Sequence, residues 1–143
     1  MENGNGAAKP SPAPQVPAPM QLNHELPDYT YALRAADGRS AKVNDRVLET
    51  SFILAPNELI EDWPVGGSQA LSPDDFSPLL ALNPELVLLG TGDRQVFPSA
   101  AVMAACLTRG VGIEVMTNAA AARTFNVLAG EGRRVVAGFL LAP

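Results

Sequence analysis

The sequence predicts an α/β fold: a single three-layer domain over residues 28–143, built on a central mixed, largely parallel sheet flanked by helices and carrying an N-terminal β-hairpin. Three observations predict it. From residue 86 onward, short apolar runs alternate with alanine-rich helical stretches, the pattern of right-handed βαβ crossovers. Before residue 56 the chain shows β-formers and turn signals with no helical period. A length of 143 residues suits one core of two or three layers.

Residues 1–27 hold six of the 13 prolines, separated mostly by small or polar side chains. Proline fixes φ and removes donors, so this stretch reads as a disordered, polyproline-II-like tail. It is a linker or a ligand for an aromatic groove. Tyr29-Thr-Tyr-Ala-Leu33 reads as the first strand, Asp37-Gly38 as a tight turn, and Ser40–Val43 and Arg46–Leu54 as further extended segments. In the last of these, Leu48, Thr50, Phe52 and Leu54 form the expected buried set. Leu71-Ser-Pro-Asp-Asp-Phe76 starts a helix over about 73–82, with Ser72 as N-cap, Pro73 at the first position, two acids in the first turn, and Leu71 and Phe76 at staple spacing. It stops before Asn83-Pro84. Then come strand Leu86–Leu89, a helix over about 98–109, strand Ile113–Met116, a helix over about 118–129 and strand Val135–Leu141, with Gly110, Gly112, Gly130 and Gly132 expected as left-handed caps.

Composition narrows the function. With 10 Lys+Arg against 15 Asp+Glu the chain is acidic at net −5, which argues against nucleic-acid binding. One His and one Cys exclude a Cys/His metal cluster and an intrachain disulfide, and His24, placed in the tail, is no base for a catalytic triad. Nothing asks for a cofactor or a metal, and the sequence leans away from an enzyme. The first residues do not read as a secretory or mitochondrial leader, and no run approaches the ~20 apolar residues of a membrane span. A cytoplasmic, bacterial protein is the expectation, and the free Cys106 fits a reducing compartment. The charge is uneven: seven acids and no Lys or Arg lie from Glu49 to Glu85, whereas 86–143 holds five Arg against three acids.

Two strand-to-helix junctions are the candidate sites. Gly90-Thr91-Gly92 with Arg94, Phe97 and Pro98 leaves the C-terminal end of a buried strand, where open α/β sheets hold ligands and a helix N-terminus favours an anion. No third glycine completes a dinucleotide fingerprint and no phosphate loop is present, so a closed turn with a solvated Arg94 explains the segment as well. Thr117 and Asn118 open the next helix, as an N-cap or as ligand contacts. Arg123 and Asn126 share a face of that helix, either a polar surface or a recognition surface. Trp63, beside Glu61 and Asp62, is either a core lid or an interface anchor.

Val87-Leu-Leu-Gly-Thr-Gly-Asp-Arg-Gln-Val-Phe-Pro98, with Gly112-Ile-Glu-Val-Met-Thr-Asn-Ala-Ala-Ala-Ala-Arg-Thr-Phe-Asn-Val-Leu128 and Glu131-Gly-Arg-Arg-Val135, resembles the domain of unknown function 498 family, in the manner of its small bacterial members. That family includes mitochondrial complex I assembly factor 3 and an adipogenesis-associated protein. The resemblance covers about 28–143 and includes Ile53-Leu-Ala-Pro56 and the Trp63-Pro64 region. It implies a three-layer α/β fold and no established catalysis. It also implies that Gly90, Thr91, Gly92, Phe97, Pro98, Thr117, Arg123, Thr124 and Asn126 mark a shared pocket or contact surface. The expectation is a noncatalytic interaction or assembly-type protein with an unidentified protein partner. The alternative is a small-molecule or anion-binding module, a weak enzyme included, that uses the two junctions.

Overall fold

A computed structural model describes residues 30–143; the expected tail, His24 and Tyr29 lie outside the described residues. A three-stranded antiparallel sheet comes first: β1 (Leu33–Ala36), β2 (Ala41–Val43) and β3 (Arg46–Leu48), in that order. The β1–β2 turn closes because the Asp37 carboxylate accepts the Arg39 and Ser40 amides, each at 2.8 Å. The second sheet contains β4 (Phe52–Ala55), β5 (Glu58–Ile60), β6 (Leu86–Gly90), β7 (Gly112–Met116) and β8 (Val135–Phe139), in the order β5-β4-β8-β6-β7. β8–β6 and β6–β7 pair parallel, whereas β5–β4 and β4–β8 pair antiparallel. The sheet is therefore mixed, with β4 alone running against the other four.

Side chains alternate across this sheet into two cores. Phe52, Leu54, Leu88, Val135, Ala137 and Phe139 face the small sheet and α3 (Asn118–Gly130), where Phe125 is buried. Ile53, Val87, Leu89 and Val136 face α1 (Ser77–Leu80), α2 (Ala100–Leu107) and Trp63. Phe52 stacks on Phe139 with ring centroids 5.0 Å apart, and Trp63 meets Phe76 edge-on at 5.9 Å. No helix among the described residues is long and apolar enough to cross a membrane.

Several sequence expectations change. Residues 30–32 are not strand: the Thr30 and Tyr31 amides donate to Pro56 O at the β4–β5 turn. The segment 46–54 divides between the two sheets, with Glu49 and Thr50 exposed at the crossing. Because β4 is covered on both faces, Ser51 and Ile53 are buried as well as Phe52 and Leu54. β5, too short for a periodic signal, is additional. The helix expected over 73–82 is a 3-10 turn, Pro73–Phe76, followed by the single turn of α1. Pro78 lacks the N–H that an α ladder would direct at Asp74 O, so the continuous helix is broken. The Ser72 amide still donates to the Asp75 carboxylate at 2.8 Å, closing one arm of a capping box. Gly110 and Gly132 have positive φ, but Gly112 begins β7 and Gly130 ends α3 without one.

Candidate functional site

Both junctions lie at the same end of the large sheet, and Asn118 welds them together. Its side chain is fully buried. Oδ1 accepts the Gly92 amide at 3.1 Å, while Nδ2 donates to Asp37 O at 2.8 Å and Leu140 O at 2.9 Å. One amide thus ties the first junction, the β1–β2 turn and the chain after β8. Gly90 has no side chain for a steric reason: a Cβ there would overlap Asn118 Oδ1. The loop between is equally closed. Thr91 Oγ1 donates to Arg94 O at 2.6 Å and accepts the Val96 amide at 3.1 Å. Asp93 accepts the Gly38 amide at 2.8 Å, and Gln95 Nε2 donates to Val115 O at 2.7 Å on the outer edge of β7.

Most of the start of α3 is closed to an anion by the protein itself. Three of its first four amides are already engaged, Asn118 N by Gly92 O, Ala120 N by the Thr117 hydroxyl and Ala121 N by Thr117 O. Thr117 is thus the N-cap. Further along α3, the Asn126 side chain pairs with both backbone groups of Leu33, at 3.0 and 2.7 Å, and holds the small sheet onto the helix. Pro98 is buried, Thr124 half-buried, and Arg123 exposed away from the junctions. Trp63 is 3 % exposed, with Nε1 donating to Asp75 O at 3.0 Å. The indole is a core lid. Arg94 and Phe97 project outward, Phe97 with 58 % of its surface exposed.

An open groove of about 780 Å³ runs along the end of the sheet, lined by the predicted residues Trp63, Thr91, Gly92 and Arg94 and by segments not singled out as site residues: Gly38–Arg39, Glu49–Ser51, Pro64–Ser68 and Leu140–Ala142. Ser68 Oγ donates to Val96 O at 2.6 Å and secures one wall. The Asp37-Gly38 turn signal and the Gly66-Gly67 pair were the sequence traces of these walls. Gly90, Phe97, Pro98, Thr117, Asn118, Arg123, Thr124 and Asn126 do not line the groove. Among the described residues, no three His, Cys, Asp or Glu side chains gather at metal-binding spacing. Burial pushes the Cys106 thiol up, with Arg109 opposing.

The family described as "Protein of unknown function (DUF498/DUF598)" matches residues 33–140. The chain belongs to this family. Among DUF498/DUF598 relatives, the human protein named NADH dehydrogenase [ubiquinone] 1 alpha subcomplex assembly factor 3 is 39% identical over 109 residues, 75% of this chain and 58% of that protein. The rat and bovine proteins of the same name are matched over 65% of their length, so this chain spans less than two thirds of these curated relatives. An NMR structure of a Xanthomonas campestris protein is 64% identical, with a TM-score of 0.73, covering 85% of this chain and 92% of that one. An Mth938-like domain from Bordetella pertussis is 29% identical, with a TM-score of 0.70 and the same coverage. The α/β architecture of this DUF498/DUF598 member is therefore the Mth938-like one.

Proposed function

We propose that this chain is a noncatalytic interaction protein that aids assembly or maturation of a larger complex, and that it engages its partner through the rim formed by Arg94 and Phe97 beside the groove. The observation that carries this reading is the division of labour at the junctions. The inward polar side chains Thr91, Asn118, Thr117 and Asn126 hold backbone, whereas Arg94, which lines the groove, and Phe97, which follows the groove-lining Val96, are exposed. An exposed aromatic flanked by Arg is the composition of an interface anchor. The names of the curated relatives supply the kind of partner: a subunit or assembly intermediate of a respiratory NADH dehydrogenase is the first to test. A cytoplasmic location, with Cys106 in a reducing compartment, belongs to the same proposal.

The test is affinity capture from native lysate with three forms of the full chain. Wild type and Arg123→Ala are expected to retain the same subunits in unassembled form, and Phe97→Asp to lose them. Equal capture by Phe97→Asp would remove the rim from the account. Retention of nothing above background by wild type would remove the interaction reading itself.

A further inference from the structure

The groove is electrically two-ended, and the strand order fixes which end is which. Asp62 follows β5 and Glu49 precedes β4, at one extremity, where Thr50 Oγ1 donates to Glu61 O and the Trp63 amide to Ser51 O. Arg94 follows β6, at the other, with Arg39 on the neighbouring turn. Between them run β4 and the chain leaving β8, whose Leu140 and Leu141 form an apolar floor together with Val65, Val96 and the buried edge of Trp63. Glu61 is paired with Arg46 at 2.9 Å, whereas Glu49, Asp62 and Arg94 have no ion-pair partner among the described residues. Arg39 makes one long contact, to Pro143 O at 3.4 Å. Arg94 and Arg39 stand with Asp93 at the β6 end, and Glu49 and Asp62 stand at the β5 end.

From β5 to β6 is three strand spacings, about 14 Å. An extended peptide rises about 3.3 Å per residue and points every second side chain the same way, so residues i and i+4 lie on one face about 13 Å apart. Resting on the interaction reading above, we propose that the groove takes an extended segment of the partner protein with a Lys or Arg at one end and an Asp or Glu four residues away. The cation sits over Glu49 and Asp62, the carboxylate over Arg94, and an apolar residue midway on the Leu140–Leu141 floor. Opposite charges at both ends set register and orientation, which is what charge complementarity contributes to recognition.

The probe is an acetylated, amidated pentapeptide, Lys-Ser-Val-Ser-Glu, titrated into the full chain and followed by amide chemical shifts. Lys-Ser-Val-Ser-Lys and Glu-Ser-Val-Ser-Glu each match one end only. We expect saturable shifts at residues 38–39, 49–51, 64–68, 91–96 and 140–142, with the matched peptide about tenfold tighter than either control. Arg94→Glu, an exposed substitution, is expected to reverse the order in favour of the two-lysine peptide. Absence of saturable groove shifts at millimolar peptide, equal affinity for all three peptides, or an order unchanged by Arg94→Glu would each overturn the proposal. Partner capture that depends on Phe97 while the peptides fail to bind would overturn the groove alone and leave the interaction reading standing.

Discussion

Asn118 shows how one buried amide replaces a ligand with architecture. It satisfies one donor and two acceptors from three segments distant in sequence. Truncation strands all three; the buried Leu140 carbonyl costs about 1–3 kcal/mol, and the part-buried Gly92 amide and Asp37 carbonyl less each. Asn118→Ala is therefore expected to lower unfolding free energy in urea by about 2–4 kcal/mol, while Arg94→Ala, at an exposed position, stays within about 0.5 kcal/mol of wild type. Gly138 is a second fixed point: a Cβ there would sit 2.6 Å from Trp63 Cζ3 and 3.3 Å from Leu79 Cδ2. Gly138→Ala is expected to cost about 1–3 kcal/mol by overpacking, with a changed near-UV signal from the displaced indole. Cys106 is expected to react with a thiol reagent only on unfolding, because it is fully buried and its thiolate is disfavoured. At this scale the sequence marks polar positions but not the partners they hold. Asn118 and Asn126 were visible as polar positions, but nothing local says that their partners include Asp37 on the β1–β2 turn and Leu33 on β1, 81 and 93 residues away.

Elements with a strong period were legible, and those set by long-range partners were not. The strands β6 and β8 are unbroken apolar runs because both faces are covered, whereas the edge strand β7 carries the exposed Glu114; α3 begins at the readable cap Thr117, and α2 at Ser99. The split between β3 and β4 was hidden, since the Ser51 hydroxyl that accepts the Leu141 amide at 3.0 Å comes from a residue with no distinctive local pattern. At the opposite end of the sheet, Glu85 bridges Arg133 at 2.9 Å, linking the start of β6 to the turn before β8. The Arg133 side chain first, and the Arg134 amide second, hold the Glu85 carboxyl below its usual range. A carboxyl depressed on folding contributes stability above its unfolded pKa and loses it as pH falls through the folded value. Wild type and Glu85→Gln are thus expected to differ in denaturation midpoint at neutral pH and to converge in acid. Because the pair is exposed, high salt is expected to narrow the difference.

For the molecule as a whole, the acidic net charge of −5 proves less informative than its arrangement. Glu49 and Asp62 of the acidic middle segment stand at one end of the groove and Arg94 of the second half, with Arg39, at the other, which no average over the chain reveals. Two core layers, one on each face of the large sheet, fix the sheet end rigidly, while Asn118 and Thr91 close the loops that build it. Such a scaffold presents a preformed rim and needs little ordering on binding, which favours affinity per unit area. The fold class was legible because alternation of strand and helix is a local signal repeated along the chain. The groove was not, because its walls come from five separate segments. Amide hydrogen exchange of the full chain, with and without the partner recovered by capture, tests the docking rim most directly. Slowed exchange concentrated in residues 91–98 and the groove walls is the predicted result; protection confined to other surfaces, or none beyond the free chain, would contradict the account.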